Sequence, residues 1–85
     1  MFINKTEKGY NNVCGENVAR LRIEMHISQR ELADRLQLVG LDMDKNAIQR
    51  IEARKRFVTD IELIGLAAVL HTTVEALLTL SPEQR

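Results

Sequence analysis

The segment from Ser28 to Arg56 constrains this chain more than any other, because it places two short helices in series and follows them with a cluster of positive charge. The first opens as Ser28-Gln29-Arg30-Glu31. There the Ser28 hydroxyl can accept from the backbone N–H three residues on while the Glu31 carboxylate returns to the N–H of Ser28, forming a capping box. Apolar residues then recur at Leu32, Ala33 and Leu36, the spacing of a helix with one buried stripe that ends near Leu38, and Gly40 is placed to stop it in the left-handed conformation. The second helix opens at Asp44, a good N-cap residue. It runs Lys45-Asn46-Ala47-Ile48-Gln49-Arg50-Ile51-Glu52 to about Arg54, with Ile48 and Ile51 on one stripe and Asn46, Gln49 and Arg50 turned away from it. A helix whose free face carries amides and a guanidinium is equipped to read base edges in DNA.

The remaining segments predict one small all-α domain. Eighty-five residues suffice for a single modest core. A composition that is 45% hydrophobic, only 4% aromatic and contains one proline suits a bundle of Leu, Ile, Val and Ala helices. Residues 1–13 are polar and asparagine-rich without helical period and are expected to form a flexible arm, with the domain proper over 14–80 and a tail over 81–85. Helix 1 is expected from Gly15 or Glu16 to Met25, burying Val18, Leu21 and Met25. His26 falls where that helix must stop, as a residue type that tolerates positive φ. Leu41 and Met43 are expected to plug the gap between helices 2 and 3. Helix 4 opens with a second capping box, Thr59 to Glu62, and buries Leu63, Leu66, Ala67 and Leu70, with His71 at its end. Thr73 caps a last helix to Leu80. Its Leu77, Leu78 and Leu80 are more apolar than so short an element can hide, so a homodimer contact is expected there.

Charge and cysteine usage narrow the function further. The formal net charge is zero, yet residues 45–56 hold five cations, Lys45, Arg50, Arg54, Lys55 and Arg56, against one carboxylate, Glu52. Such a local excess beside a polar helix face predicts a polyanionic partner, double-stranded DNA. Cys14 is alone, so no internal disulfide can form and a reducing cytoplasmic setting is expected. No apolar run approaches the ~18 residues of a membrane span, and Met1–Lys5 has no apolar signal-peptide core. One thiol, two helix-end histidines and no glycine-rich phosphate loop provide no nucleophile–base pair and no metal set, so neither an enzyme, a metal nor a cofactor is expected, and no small-molecule ligand is evident.

The order of a capped helix with Gln29 and Glu31-Leu32-Ala33, a second helix ending Ile48-Gln49-Arg50-Ile51-Glu52, a basic turn and the apolar run Ile64 to Leu70 resembles the Cro and phage-repressor type of helix-turn-helix, the XRE family, over roughly residues 15–79. The resemblance implies a lambda-repressor-like five-helix domain that binds operator DNA as a dimer and regulates transcription, as a repressor. It implies that Lys45, Asn46, Ala47, Gln49 and Arg50 face the major groove. Chemistry then suggests Arg50 or Lys45 for guanine, Asn46 or Gln49 for adenine, and Ala47 for a thymine methyl. Gln29 is implied to bond a DNA phosphate, and Arg30, Arg54, Lys55 and Arg56 are expected to contact phosphates without reading sequence. Glu52, costly to bury alone, is implied to pair with Arg22 in a structural ion pair joining helix 1 to helix 3.

The chain departs from that pattern in two places: the connection from Leu36 to Lys45 is longer than the tight turn of the phage repressors, and Ala53-Arg54 stands where a glycine often follows the recognition helix. Two alternatives use the same fold, the antitoxin half of a toxin–antitoxin pair and a purely protein-binding module. The second has no need of the basic turn.

Overall fold

The computed structural model describes residues 5–80. Within them the chain forms five α-helices in the order α1 (Gly15–Glu24), α2 (Gln29–Leu38), α3 (Lys45–Glu52), α4 (Asp60–Val69) and α5 (Val74–Leu77), and no strand is present among the described residues. The expected tail 81–85 and the first four residues of the expected arm lie outside the described residues.

Local chemistry fixes where each helix begins and ends. Ser28 and Thr59 start α2 and α4 with complete capping boxes, while Asp44 and Thr73 cap α3 and α5 through their side chains. Four helices end alike: a residue in the left-handed region follows the last helical turn, and two consecutive N–H groups return to the orphan carbonyls. For α2 this residue is Gly40, at φ 90°; for α1, α3 and α4 it is His26, Arg54 and His71, at φ 58°, 63° and 56°. After α3, for example, Arg54 N–H donates to the Ile51 carbonyl and Lys55 N–H to that of Arg50, both at 2.9 Å. Three of the four stops therefore use residues with a Cβ, each bearing a local cost of about 1 kcal/mol that surrounding contacts offset.

Packing joins the helices around one core. α3 lies against both α1 and α2, α4 against α2, and α5 closes the far side by touching α4 and α1. Val18, Leu32, Leu36, Ile48, Ile51, Leu66 and Leu77 are fully buried at its centre. Met43 is buried, and half-buried Leu41 packs where a Cβ on Gly65 would stand, so the long α2–α3 connection is anchored in the core. The N-terminus of α1 runs so close to the end of α3 that a Cβ on Gly15 would meet the Ile51 carbonyl oxygen.

Three expectations are corrected. α5 ends at Leu77 rather than Leu80, because the Asn17 side chain on α1 donates to the carbonyls of Leu77 and Thr79, both at 2.8 Å, and draws the chain off the helical path. Leu77 itself is fully buried in its own domain and is not available to a dimer contact; Leu78 remains 42% exposed and Leu80 half-buried. Residues 10–12, expected to be part of a flexible arm, are instead bonded to the turn after α3: Asn11 N–H donates to the Arg54 carbonyl at 2.9 Å, and the Asn12 amide donates to the carbonyls of Ile51 and Arg56 at 3.2 and 2.8 Å.

Candidate nucleic-acid interface

α3 presents one face to the core and one to solvent, and the division follows from its sequence. Ala47, Ile48 and Ile51 are buried, whereas Lys45, Asn46, Gln49 and Arg50 are exposed and have no side-chain partner among the described residues. At 100° per residue these four side chains span an arc of about 140°. They therefore form a single polar face with a cation on each flank and two amides between them. Ala47 does not belong to it. At 6% exposure its methyl packs into the core, which corrects the expectation that it faces a thymine methyl.

The orientation of this face is set from behind by a buried-edge ion pair. Arg22 on α1 donates from Nε to Glu52 Oε2 at 2.7 Å and from Nη2 to Oε1 at 3.0 Å, with side-chain exposures of only 14% and 9%. A third guanidinium nitrogen, Nη1, donates to the Ile27 carbonyl at 2.9 Å, so the turn between α1 and α2 is tied to the same group. The Glu52 bond holds the Arg22 pKa above its ordinary value. The Gln29 amide, in the first turn of α2, also donates to Glu52 Oε1, at 3.0 Å. One carboxylate thus gathers α1, α2 and α3, and Gln29 retains a second amide hydrogen for an outside acceptor.

The basic turn is arranged differently from its reading in the sequence. Arg54 donates to Glu16 at 3.1 Å and lies 3.7 Å over the Tyr10 ring, a cation–π stack. Arg56 makes a two-pronged pair with Glu62 on α4, at 2.9 and 3.0 Å. That bond is the largest cause of the lowered Glu62 pKa and of the raised Arg56 pKa. Two of the five cations are therefore neutralised within the fold. Lys55 is exposed with no side-chain partner among the described residues, as is Arg30 beside Gln29 in the first turn of α2.

Sequence reasoning missed Tyr10, Asn11 and Asn12. The available signal was Asn12, three residues before Gly15: the N-cap Cys14 makes no side-chain cap bond, and it is Asn12 Oδ1 that accepts from Gly15 N–H, at 2.9 Å. Nothing in the described residues suits other chemistry. Cys14 is 1% exposed and burial pushes its thiol up to about 11, the reverse of a reactive or ligating cysteine. No group of three His, Cys, Asp or Glu among the described residues is placed to hold a metal ion, and no helix in them is long and apolar enough to cross a membrane.

The family model for the helix-turn-helix matches residues 18–77, and the chain belongs to this family, the Cro/C1-type helix-turn-helix regulators of the XRE class, whose domains bind DNA and are not catalytic. No curated protein and no solved structure matches the chain.

Two predictions follow from these ion pairs. Arg22→Met leaves Glu52 with only the Gln29 donor and is expected to cost about 3 kcal/mol in urea unfolding, whereas the Arg22→Met/Glu52→Leu double variant should recover most of that loss; additive losses would show that the pair is not coupled. Glu62, whose pKa is lowered by folding, adds stability that is complete above its ordinary value of 4.5 and is lost as pH falls through the lowered one. Glu62→Gln keeps the capping box but not the charge. It should melt roughly 5 °C below the wild type at pH 7, as expected for ~1 kcal/mol in a domain of this size. That gap should narrow as pH falls below the ordinary value of 4.5 and close only below the lowered one, and a pH-independent gap would refute the assignment.

Proposed function

We propose that the protein is a sequence-specific transcriptional regulator, a repressor, that inserts α3 into the major groove of double-stranded DNA. The observation that carries this reading is the exposed quartet Lys45, Asn46, Gln49 and Arg50, without side-chain partners among the described residues, on a helix braced from behind by Arg22 and Glu52. An exposed amide or guanidinium needs no such bracing for stability alone, but a reading helix does, because base-edge hydrogen bonds tolerate little misplacement. In this arrangement Arg50 or Lys45 bonds guanine O6 and N7, and Asn46 or Gln49 bonds adenine N6 and N7, each good bidentate pair being worth about 1–3 kcal/mol of discrimination.

Phosphate contacts are assigned to Lys55, Arg30 and the second amide hydrogen of Gln29, at the N-terminus of α2 where the helix dipole also favours an anion. Arg54 and Arg56 reach a phosphate only in competition with Glu16 and Glu62. Two copies on DNA would read half-sites roughly 34 Å apart, and of the three leucines expected at the dimer contact Leu78 is the one most available.

The test is binding to the DNA upstream of the protein's own gene over a salt series. Log affinity should fall linearly with log salt, and a flat dependence would end the reading. Lys55→Ala should weaken all sequences alike and lower the slope by about one unit, while Arg56→Ala should change it little because that charge is already compensated. Arg50→Ala should relax sequence preference and leave non-specific DNA bound nearly as before. An equal loss on all sequences would instead make Arg50 a phosphate contact.

A further inference from the structure

We infer that Asn11 is a positioning residue for DNA binding: its side chain holds the Lys55 carbonyl and so sets where the Lys55 ammonium stands relative to α3. The inference rests on the reading of Lys55 as a phosphate contact.

At the end of α3 and in the turn after it, the carbonyls of Ile51, Arg54, Lys55 and Arg56 all accept hydrogen bonds from two asparagines, Ile51 accepting in addition from Arg54 N–H. Asn11 donates from its backbone to Arg54 and from Nδ2 to Lys55, at 2.9 and 2.8 Å. Asn12 donates from Nδ2 to Ile51 and Arg56 at 3.2 and 2.8 Å, and its Oδ1 fixes the start of α1. Both asparagines come from a segment some forty positions away in the chain, so a tertiary clamp on the carbonyl side is added to the turn's own bonds, Arg54 N–H to Ile51 and Lys55 N–H to Arg50. Tyr10, under the Arg54 guanidinium, adds a fifth contact from the same segment.

The clamp fits positioning better than general stability. Asn12 is half-buried and serves α1 and α3 together, so its loss should loosen the fold. Asn11 is half-buried too, but both of its side-chain bonds are exposed: Nδ2 donates to the Lys55 carbonyl, and Oδ1 accepts from Lys5 at 2.7 Å, with no bond to α1 among the described residues. Lys55 has no side-chain partner among the described residues, so the placement of its ammonium depends on its backbone. Releasing that carbonyl leaves the charge present but free to leave the DNA-facing position, and its contact then carries an ordering cost at each binding event.

The experiment is a double-mutant cycle in DNA affinity with Asn11→Ala and Lys55→Ala, at a temperature where thermal melting shows every variant folded. Asn11→Ala alone should weaken binding about fivefold, the size expected for ordering one freed charged side chain at each binding event, and should lower the melting temperature by no more than about 5 °C, as for loss of one exposed hydrogen bond. In the Lys55→Ala background the same substitution should have almost no effect, a coupling that a merely structural role would not produce. Asn12→Ala should lower both melting temperature and affinity. Equal fivefold losses in both backgrounds, or no loss in either, would overturn the positioning role while leaving the DNA-binding reading intact. Absence of salt-dependent binding by the wild type would overturn both.

Discussion

The Arg22–Glu52 ion pair is the constraint on which the rest of the arrangement depends. A carboxylate at the inner edge of α3 is tolerable only because Arg22 meets it with two parallel N–H donors and Gln29 supplies a third. Those bonds have directions. Helix packing by Ile48 and Ile51 fixes which stripe of α3 is inside, but apolar contacts are forgiving of small rotations and slides. The ion pair is not, and through Ile27 it also fixes the turn that leads into α2. The outward face of α3 and the first turn of α2 are thereby held in one relation to each other, as a module that touches both bases and phosphates requires.

Electrostatics in the basic turn show why the summed charge of the chain says so little. Arg54 and Arg56 face carboxylates on α1 and α4 and act as struts between the turn and the helices on either side. Their pairs are partly exposed, so each contributes modestly to stability, but both shorten the reach of the positive field. Of the five cations left without a partner among the described residues, Lys45, Arg50, Lys55 and Arg30 belong to α3, the turn after it and the start of α2, and Arg35 to the last turn of α2. A domain of zero net charge that concentrates its uncompensated cations in this way has little pull on a polyanion at a distance and depends on contacts made at close range.

Much of the fold was legible in the sequence, and the reasons are local. Ser28 with Glu31, Asp44, Thr59 with Glu62, and Thr73 each declare a helix start within three residues, and all of these caps form. His26 and Gly40 could be placed as stops because backbone sterics admit few residue types at positive φ. The exposure of Asn46, Gln49 and Arg50 on α3 followed from period, and that of Lys45 from the family resemblance, whereas Ala47 lies near the boundary of the apolar stripe and its burial depends on how α1 and α2 approach. What could not be read was long-range. Whether Arg54 and Arg56 are free depends on Glu16 and Glu62, on other elements, and the asparagines at 11 and 12 acquire their purpose only when α1 brings them beside the end of α3. The α5 boundary failed for the same reason, since Asn17 on α1 determines it.

The central claim is that the free face of α3, together with the first turn of α2 and Lys55, is the surface that meets DNA. Amide chemical-shift mapping of the labelled protein during titration with a duplex from its own upstream region tests it most directly. The account predicts shifts concentrated at Gln29, Arg30, residues 45–50 and Lys55, with α5 and the outer face of α4 unmoved. Shifts confined to α4 around Ile61 and Ile64, with Asn46, Gln49 and Arg50 unchanged at saturation, would contradict it.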